Sequence, residues 1–124
     1  MLSSSLVLVV DDEADVRALI QRIISRFRPD ITVHTAPNGQ VALFLCHQLL
    51  PALIISDVNM PTMDGIAFIM ALRTAGMKTP VIIVSADPGY EQDALHAGAD
   101  FFIYKPELFR ALPPLLQQLL PHTP

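Results

Sequence analysis

The sequence predicts a doubly wound α/β fold, an open five-stranded parallel sheet with helices on both faces, and three features carry that prediction. Short apolar, β-branched runs alternate with stretches of helical length along the whole chain. Three of those runs, LVLVV, LIIS and VIIVS, are apolar without alternation, as strands covered on both faces must be. Strand followed by helix, repeated five times with right-handed crossovers, then specifies the doubly wound topology.

The elements follow in order. Leu6–Val10 forms the first strand, and Val16, Leu19, Ile20, Ile23, Ile24 and Phe27 then recur at the spacing of one apolar helix face. The second strand is Ile31–Thr35, and Asn38-Gly39 opens a second helix through about His47. After the strand Leu53–Ser56, Asp64 stands as the N-cap of a third helix that runs through about Thr74. Val81–Ser85 is the fourth strand. The fourth helix runs from about Tyr90 to His96 and stops at Gly98, a residue free to turn left-handed. Phe101–Tyr104 is the fifth strand. Leu108, Phe109, Leu112, Leu116, Leu119 and Leu120 keep helical spacing, but Pro113 and Pro114 fall among them. Proline lacks the helical donor and crowds the preceding turn, so the fifth helix is expected to be kinked or split.

At 124 residues and 52% hydrophobic content the chain fits a single domain, residues 1–124, with a core at about 5–112 and a C-terminal helix and tail at 113–124. The net charge of −4 and eight scattered Lys and Arg residues provide no basic stripe, which argues against direct nucleic-acid binding. Cys46 is alone, and His34, His47, His96 and His122 share no metal-ligand spacing with it. The first apolar run is too short for a signal peptide and no run is long enough for a membrane span, so a cytoplasmic location is expected.

In an open α/β sheet ligands sit beyond the carboxyl ends of the strands. Asp11 and Asp12 follow the first strand, Asp57 the third, Ser85 ends the fourth and Lys105 follows the fifth. Carboxylates gathered at one edge repel each other unless a cation lies among them, and an all-oxygen set suits Mg²⁺ or Mn²⁺ better than zinc. A carboxylate flanked by a divalent metal, a lysine and a hydroxyl is equipped to attack phosphorus, which makes Asp57 the candidate nucleophile.

The strings LVVDDE (8–13), SDVNMPTMDG (56–65), VSA (84–86) and GADFFIYKP (98–106) resemble the receiver domains of two-component response regulators, with their flavodoxin-like fold, over residues 5 to 112. The resemblance implies that Asp57 accepts a phosphoryl group and that Asp11, Asp12, Asp57 and the backbone carbonyl of Asn59 hold the metal. It implies that Lys105 contacts the phosphoryl group, that Ser85 and Phe102 form the switch, and that Asn59 and Asp87 tune phosphoryl lifetime. It further implies a cis Lys105–Pro106 bond. The donor would be a sensor histidine kinase or a histidine phosphotransfer protein, and the chain would catalyse its own phosphorylation and dephosphorylation. Output would pass through the fourth-helix, fifth-strand, fifth-helix face to an effector domain or a second copy.

Blander readings compete at single positions. An acidic pair after a strand often only caps the next helix, and Asp64 is expected to do no more than that. Met60, Met63, Met70 and Met77 read as gap-filling side chains, and Cys46 and His47, adjacent on a helix, point apart. The alternative class is a phosphorylation-independent dimerisation or interaction module, motivated by the two prolines near the C-terminus. A haloacid-dehalogenase-type phosphatase needs a second acid two residues after its nucleophile, where this chain has Asn59.

Overall fold

The computed structural model describes residues 5–121. Five parallel strands, β1 (Leu6–Val10), β2 (Thr32–Ala36), β3 (Leu53–Asp57), β4 (Val81–Ser85) and β5 (Phe101–Tyr104), form one sheet in the order β2-β1-β3-β4-β5. Strand order reverses between β1 and β3, which sets the switch point of the flavodoxin-like α/β fold at the carboxyl ends of those two strands. The helices are α1 (Ala14–Phe27), α2 (Gly39–Leu49), α3 (Gly65–Thr74), α4 (Glu91–Ala97) and α5 (Leu108–Leu119). Short 3₁₀ turns, Pro88–Tyr90 and Lys105–Glu107, lead into α4 and α5.

Because side chains alternate along a strand, each central strand feeds two cores. Val7 and Val9 of β1, with Leu53 and Ile55 of β3, pack under α1 and α5. Leu8 and Val10, with Ile54 of β3 and Ile83 of β4, pack under α2, α3 and α4. Every residue of β3 and β4 is buried, as their unbroken apolar sequences require, whereas edge strand β2 is mostly exposed.

The caps form as their residue types dictate. Asn38 Oδ1 accepts from the Val41 N–H at 2.9 Å, and Asp64 Oδ1 accepts from the Ala67 N–H at 2.8 Å. Gly98 ends α4 in the left-handed region at φ 117°. The buried side of α1 is narrower than its apolar spacing predicts: Ile20, Ile23 and Ile24 are buried, but Leu19 and Phe27 are exposed. Met70, expected to fill a gap, is likewise exposed.

Two expectations need correction. Of the kink or split expected in the fifth helix, the split does not occur, since α5 runs unbroken through Pro113 and Pro114. The carbonyls left without helical donors belong to Phe109 and Arg110, both exposed residues, on the side of the helix away from the core. Leu108, Leu112 and Leu116, spaced four apart and buried, with Leu120 beyond them, carry the helix against the sheet. The buried guanidinium of Arg28, paired with Asp30 at 2.8 Å, donates to the carbonyls of Leu116 and Leu120 and closes the C-terminal end of α5. The second correction is at Lys105–Pro106, which is trans, since no peptide bond among the described residues is cis. Pro106 is the second residue of a 3₁₀ turn, a position that requires no backbone donor and leaves the ordinary trans preference unopposed. His122 and the last residues of the expected tail lie outside the described residues. Among the described residues no helix is long and apolar enough to cross a membrane.

Candidate functional site

Asp57 is the last residue of β3, and its side chain is almost wholly buried. The chain doubles back directly above it, with the Gly65 N–H donating to the Val58 carbonyl at 2.8 Å. A Cβ on Gly65 would lie 2.0 Å from the Asp57 carbonyl oxygen, so this close approach demands glycine. The Asp57 carboxylate is held at both oxygens: Oδ1 accepts from the Val58 N–H at 2.7 Å and Oδ2 from Lys105 Nζ at 3.1 Å.

Asp11, just past β1, is also buried. Its Oδ1 accepts from the Glu13 N–H at 2.9 Å, while Oδ2 lies 3.4 Å from Lys105 Nζ. Arg17 donates to its carbonyl at 2.6 Å. The acidic pair is therefore not the cap of α1: Glu13 occupies the N-cap and makes no side-chain cap bond. Carboxylate oxygens of Asp11, Asp12, Glu13 and Asp57 lie within 4.8 Å of one another. Asp12 and Glu13 are exposed, and Glu13 Oε1 reaches Lys105 at 3.6 Å.

Electrostatics follow from this crowding. Burial pushes the Asp11 carboxyl up to about 6, and the neighbouring Asp57 charge adds to the rise. The Glu13 N–H and Lys105 offset part of it. Burial would pull Lys105 down, but the Asp57 and Asp11 carboxylates outweigh it and hold the ammonium above its ordinary value. Four carboxylates against the Lys105 ammonium and the nearby Arg17 guanidinium leave the pocket short of positive charge. A hard divalent cation fits that donor set, which is all oxygen with neither histidine nor cysteine in the cluster.

Of the other residues singled out from sequence, Ser85 ends β4, buried, beside β3 and its Asp57. Its Oγ accepts from the Asp87 N–H at 3.0 Å, and no hydrogen bond joins it to Asp57 or Lys105 among the described residues. Asp87 in turn caps the turn before α4, its Oδ1 accepting from the Gly89 N–H at 2.8 Å. Phe102 lies half-buried against the α2–α3–α4 core, one strand over from Ile83. Asn59 is exposed, and its side-chain oxygen accepts from the Tyr90 hydroxyl at 3.3 Å. Glu13, Arg17 and Tyr90 join the site without having been singled out by sequence pattern. Glu13 was legible as the third acid of LVVDDE. Nothing local marked Tyr90, because its reach to Asn59 depends on the turn that carries it.

Comparison with known proteins identifies the family and the fold. The model of the response regulator receiver domain family matches residues 7–117. Over 105 residues the chain is 44% identical to a protein-glutamate methylesterase/protein-glutamine glutaminase of Nocardioides sp., covering 81% of this chain and 28% of that protein. It is 37% identical over 122 residues to the transcriptional regulatory protein PrrA of Mycobacterium leprae, covering 95% of this chain and 51% of PrrA. The chain thus spans about half or less of the length of these relatives. Among solved structures, the response regulator protein TrrA of Thermotoga maritima, in complex with Mg²⁺ and BeF, superposes with a TM-score of 0.84 at 28% identity, over 94% of this chain and 99% of TrrA. The family match runs from the second residue of β1 into the last turn of α5, and this chain belongs to the response regulator receiver domain family.

Proposed function

We propose that this domain is a phosphorylation-driven switch in which Asp57 accepts a phosphoryl group from a phosphohistidine on a sensor kinase or histidine phosphotransfer protein. The observation that carries the reading is the state of Asp57: a buried carboxylate fixed by the Val58 N–H and Lys105, opening into an oxygen-lined acidic pocket. Asp11, Asp12, Asp57 and the Asn59 carbonyl would hold Mg²⁺, with Mn²⁺ as a substitute. The bound cation supplies the charge neutralisation that lets a carboxylate meet a phosphoryl group. Lys105, already on Asp57 Oδ2, stabilises the equatorial oxygens, and the Val58 N–H keeps the carboxylate aligned for attack. Ser85, released from Asp87, donates to the phosphoryl oxygens, and Phe102 turns into the space behind it. Asn59 and Asp87 flank the route of hydrolytic water and set the lifetime of the adduct.

Output runs through the face of α4, β5 and α5 to an effector domain or a second copy, in the cytoplasm. The alternative is a phosphorylation-independent interaction module, and the intact set of acids around Asp57 and Lys105 favours the switch over it. The test is intact mass after incubation with acetyl phosphate and Mg²⁺. A labile adduct of one phosphoryl group is expected on the wild type and not on Asp57→Ala or in EDTA. Wild type that binds Mg²⁺ yet never gains the mass would overturn the reading.

A further inference from the structure

Two loops rise above Asp57 from adjacent strands, and one side-chain hydrogen bond joins them. Asn59 lies on the β3–α3 loop, two residues beyond Asp57, and Tyr90 ends the 3₁₀ turn that follows β4. The Tyr90 hydroxyl donates to Asn59 Oδ1 at 3.3 Å. The tyrosine is anchored from below, since it is half-buried against the α2–α3–α4 core. Its turn is held by Asp87, which accepts from the Gly89 N–H and donates its own N–H to Ser85 Oγ. A continuous chain of contacts therefore runs from the buried Ser85 hydroxyl through Asp87 and Tyr90 to the Asn59 amide beside the acceptor.

We propose that Tyr90 is a positioning residue that sets phosphoryl lifetime by occupying the acceptor oxygen of Asn59. The inference rests on the reading of Asp57 as the phosphorylated residue. Hydrolysis of an aspartyl phosphate needs a water aligned on phosphorus, and such a water is oriented by a group that accepts one of its hydrogens. Oδ1 is the only acceptor on the Asn59 side chain, its nitrogen being a donor. The Tyr90 hydroxyl takes one of the two lone pairs of that oxygen and fixes the direction of the amide, so Asn59 has less capacity to orient water, and the same bond joins the two loops above the site. Removal of the hydroxyl frees Oδ1 and speeds loss of phosphate. Metal binding does not pass through this contact, because Asn59 offers the cation its backbone carbonyl.

The experiment loads wild type, Tyr90→Phe, Asn59→Ala and the double variant with acetyl phosphate and Mg²⁺, removes the donor, and follows each adduct by intact mass. Tyr90→Phe is expected to shorten the half-life by about two- to tenfold, the range one hydrogen bond accounts for. In the Asn59→Ala background the same substitution changes nothing. Thermal midpoints and Mg²⁺ affinities by calorimetry stay those of the parent proteins, which separates positioning from a loss of fold. Equal half-lives for wild type and Tyr90→Phe, or an effect that persists without the Asn59 side chain, overturn the role of Tyr90 and leave Asp57 phosphorylation standing. Failure of any protein to acquire the adduct overturns the phosphoryl reading itself and this inference with it.

Discussion

Asp11 shows most directly how burial and charge shape the site at the scale of one residue. Its folded-state value of about 6 stands above the ordinary 3.8 because the carboxylate is shut away from water beside Asp57. A raised carboxyl means that the folded protein binds the proton more tightly than the unfolded chain. The stability this contributes is complete below about pH 4 and is lost as pH rises through 6. In EDTA, wild type is therefore expected to lose stability relative to Asp11→Asn between pH 4 and pH 7. The loss is on the order of 2–3 kcal/mol, because each tenfold difference in proton affinity between the folded and unfolded chain is worth about 1.4 kcal/mol. Urea denaturation of both proteins across that range checks it, and parallel pH slopes would show that Asp11 is not shielded from solvent. Lys105 answers the same crowding in the opposite sense, held charged by the two carboxylates it touches. Gly65 contributes only an absence, the missing Cβ that lets the loop close over Asp57.

At the scale of elements, helix ends and helix interiors obey different constraints. The N-caps of α2 and α3 are satisfied by short polar side chains one residue ahead of a glycine. The C-cap of α2 is less well chosen: Leu50 sits in the left-handed region at φ 49° and is 71% exposed. For a side chain with a Cβ that conformation costs roughly 1 kcal/mol or more, whereas glycine adopts it freely. Leu50→Gly is therefore expected to raise stability by about 0.5–1 kcal/mol after the entropy of the unfolded glycine is subtracted, read as a higher thermal midpoint. A lower midpoint would mean that the exposed leucine makes a contact worth more than the strain. α5 shows the reverse case, in which two prolines stand inside a helix without ending it. Its leucine stripe is buried on the inner side, and the two residues whose carbonyls lose their helical donors, Phe109 and Arg110, are exposed. The Arg28 guanidinium then closes the far end from another element altogether.

At the scale of the whole molecule, the sheet separates two cores, each fed by alternate residues of the central strands. Cys46 reports on the core under α2, α3 and α4, since it lies on α2 with no exposed surface and burial pushes its thiol up to about 11. At pH 8 the thiol is expected to resist an alkylating reagent in the native protein. Its labelling should quicken with urea in step with the unfolding curve, because only a major opening of the α2–α3–α4 core uncovers it. Fast labelling that ignores denaturant would show that α2 opens independently of the sheet. The switch point, the acidic pocket and the Ser85-to-Asn59 chain all lie at one edge of the same sheet. The Ser85 hydroxyl accepts from the Asp87 N–H, in the loop that leads into α4.

What could be read from the amino-acid order was whatever depends on local pattern. The continuous apolar runs marked β1, β3 and β4 as buried on both faces, the caps at Asn38 and Asp64 marked helix starts, and Gly98 marked a stop. The acids and the lysine at strand ends were legible because a parallel sheet brings all carboxyl ends to one edge, whatever the loops do. Only the tertiary structure decided the rest. Whether Pro113 and Pro114 break α5 depends on which side of the helix faces water, and whether Leu19, Phe27 or Met70 is covered depends on what packs over it. The trans Lys105–Pro106 bond and the reach of Tyr90 to Asn59 depend on the course of loops that carry no periodic signal. Local pattern governs hydrogen bonding and burial within one element. Contacts between residues distant in sequence are settled only when the elements are packed.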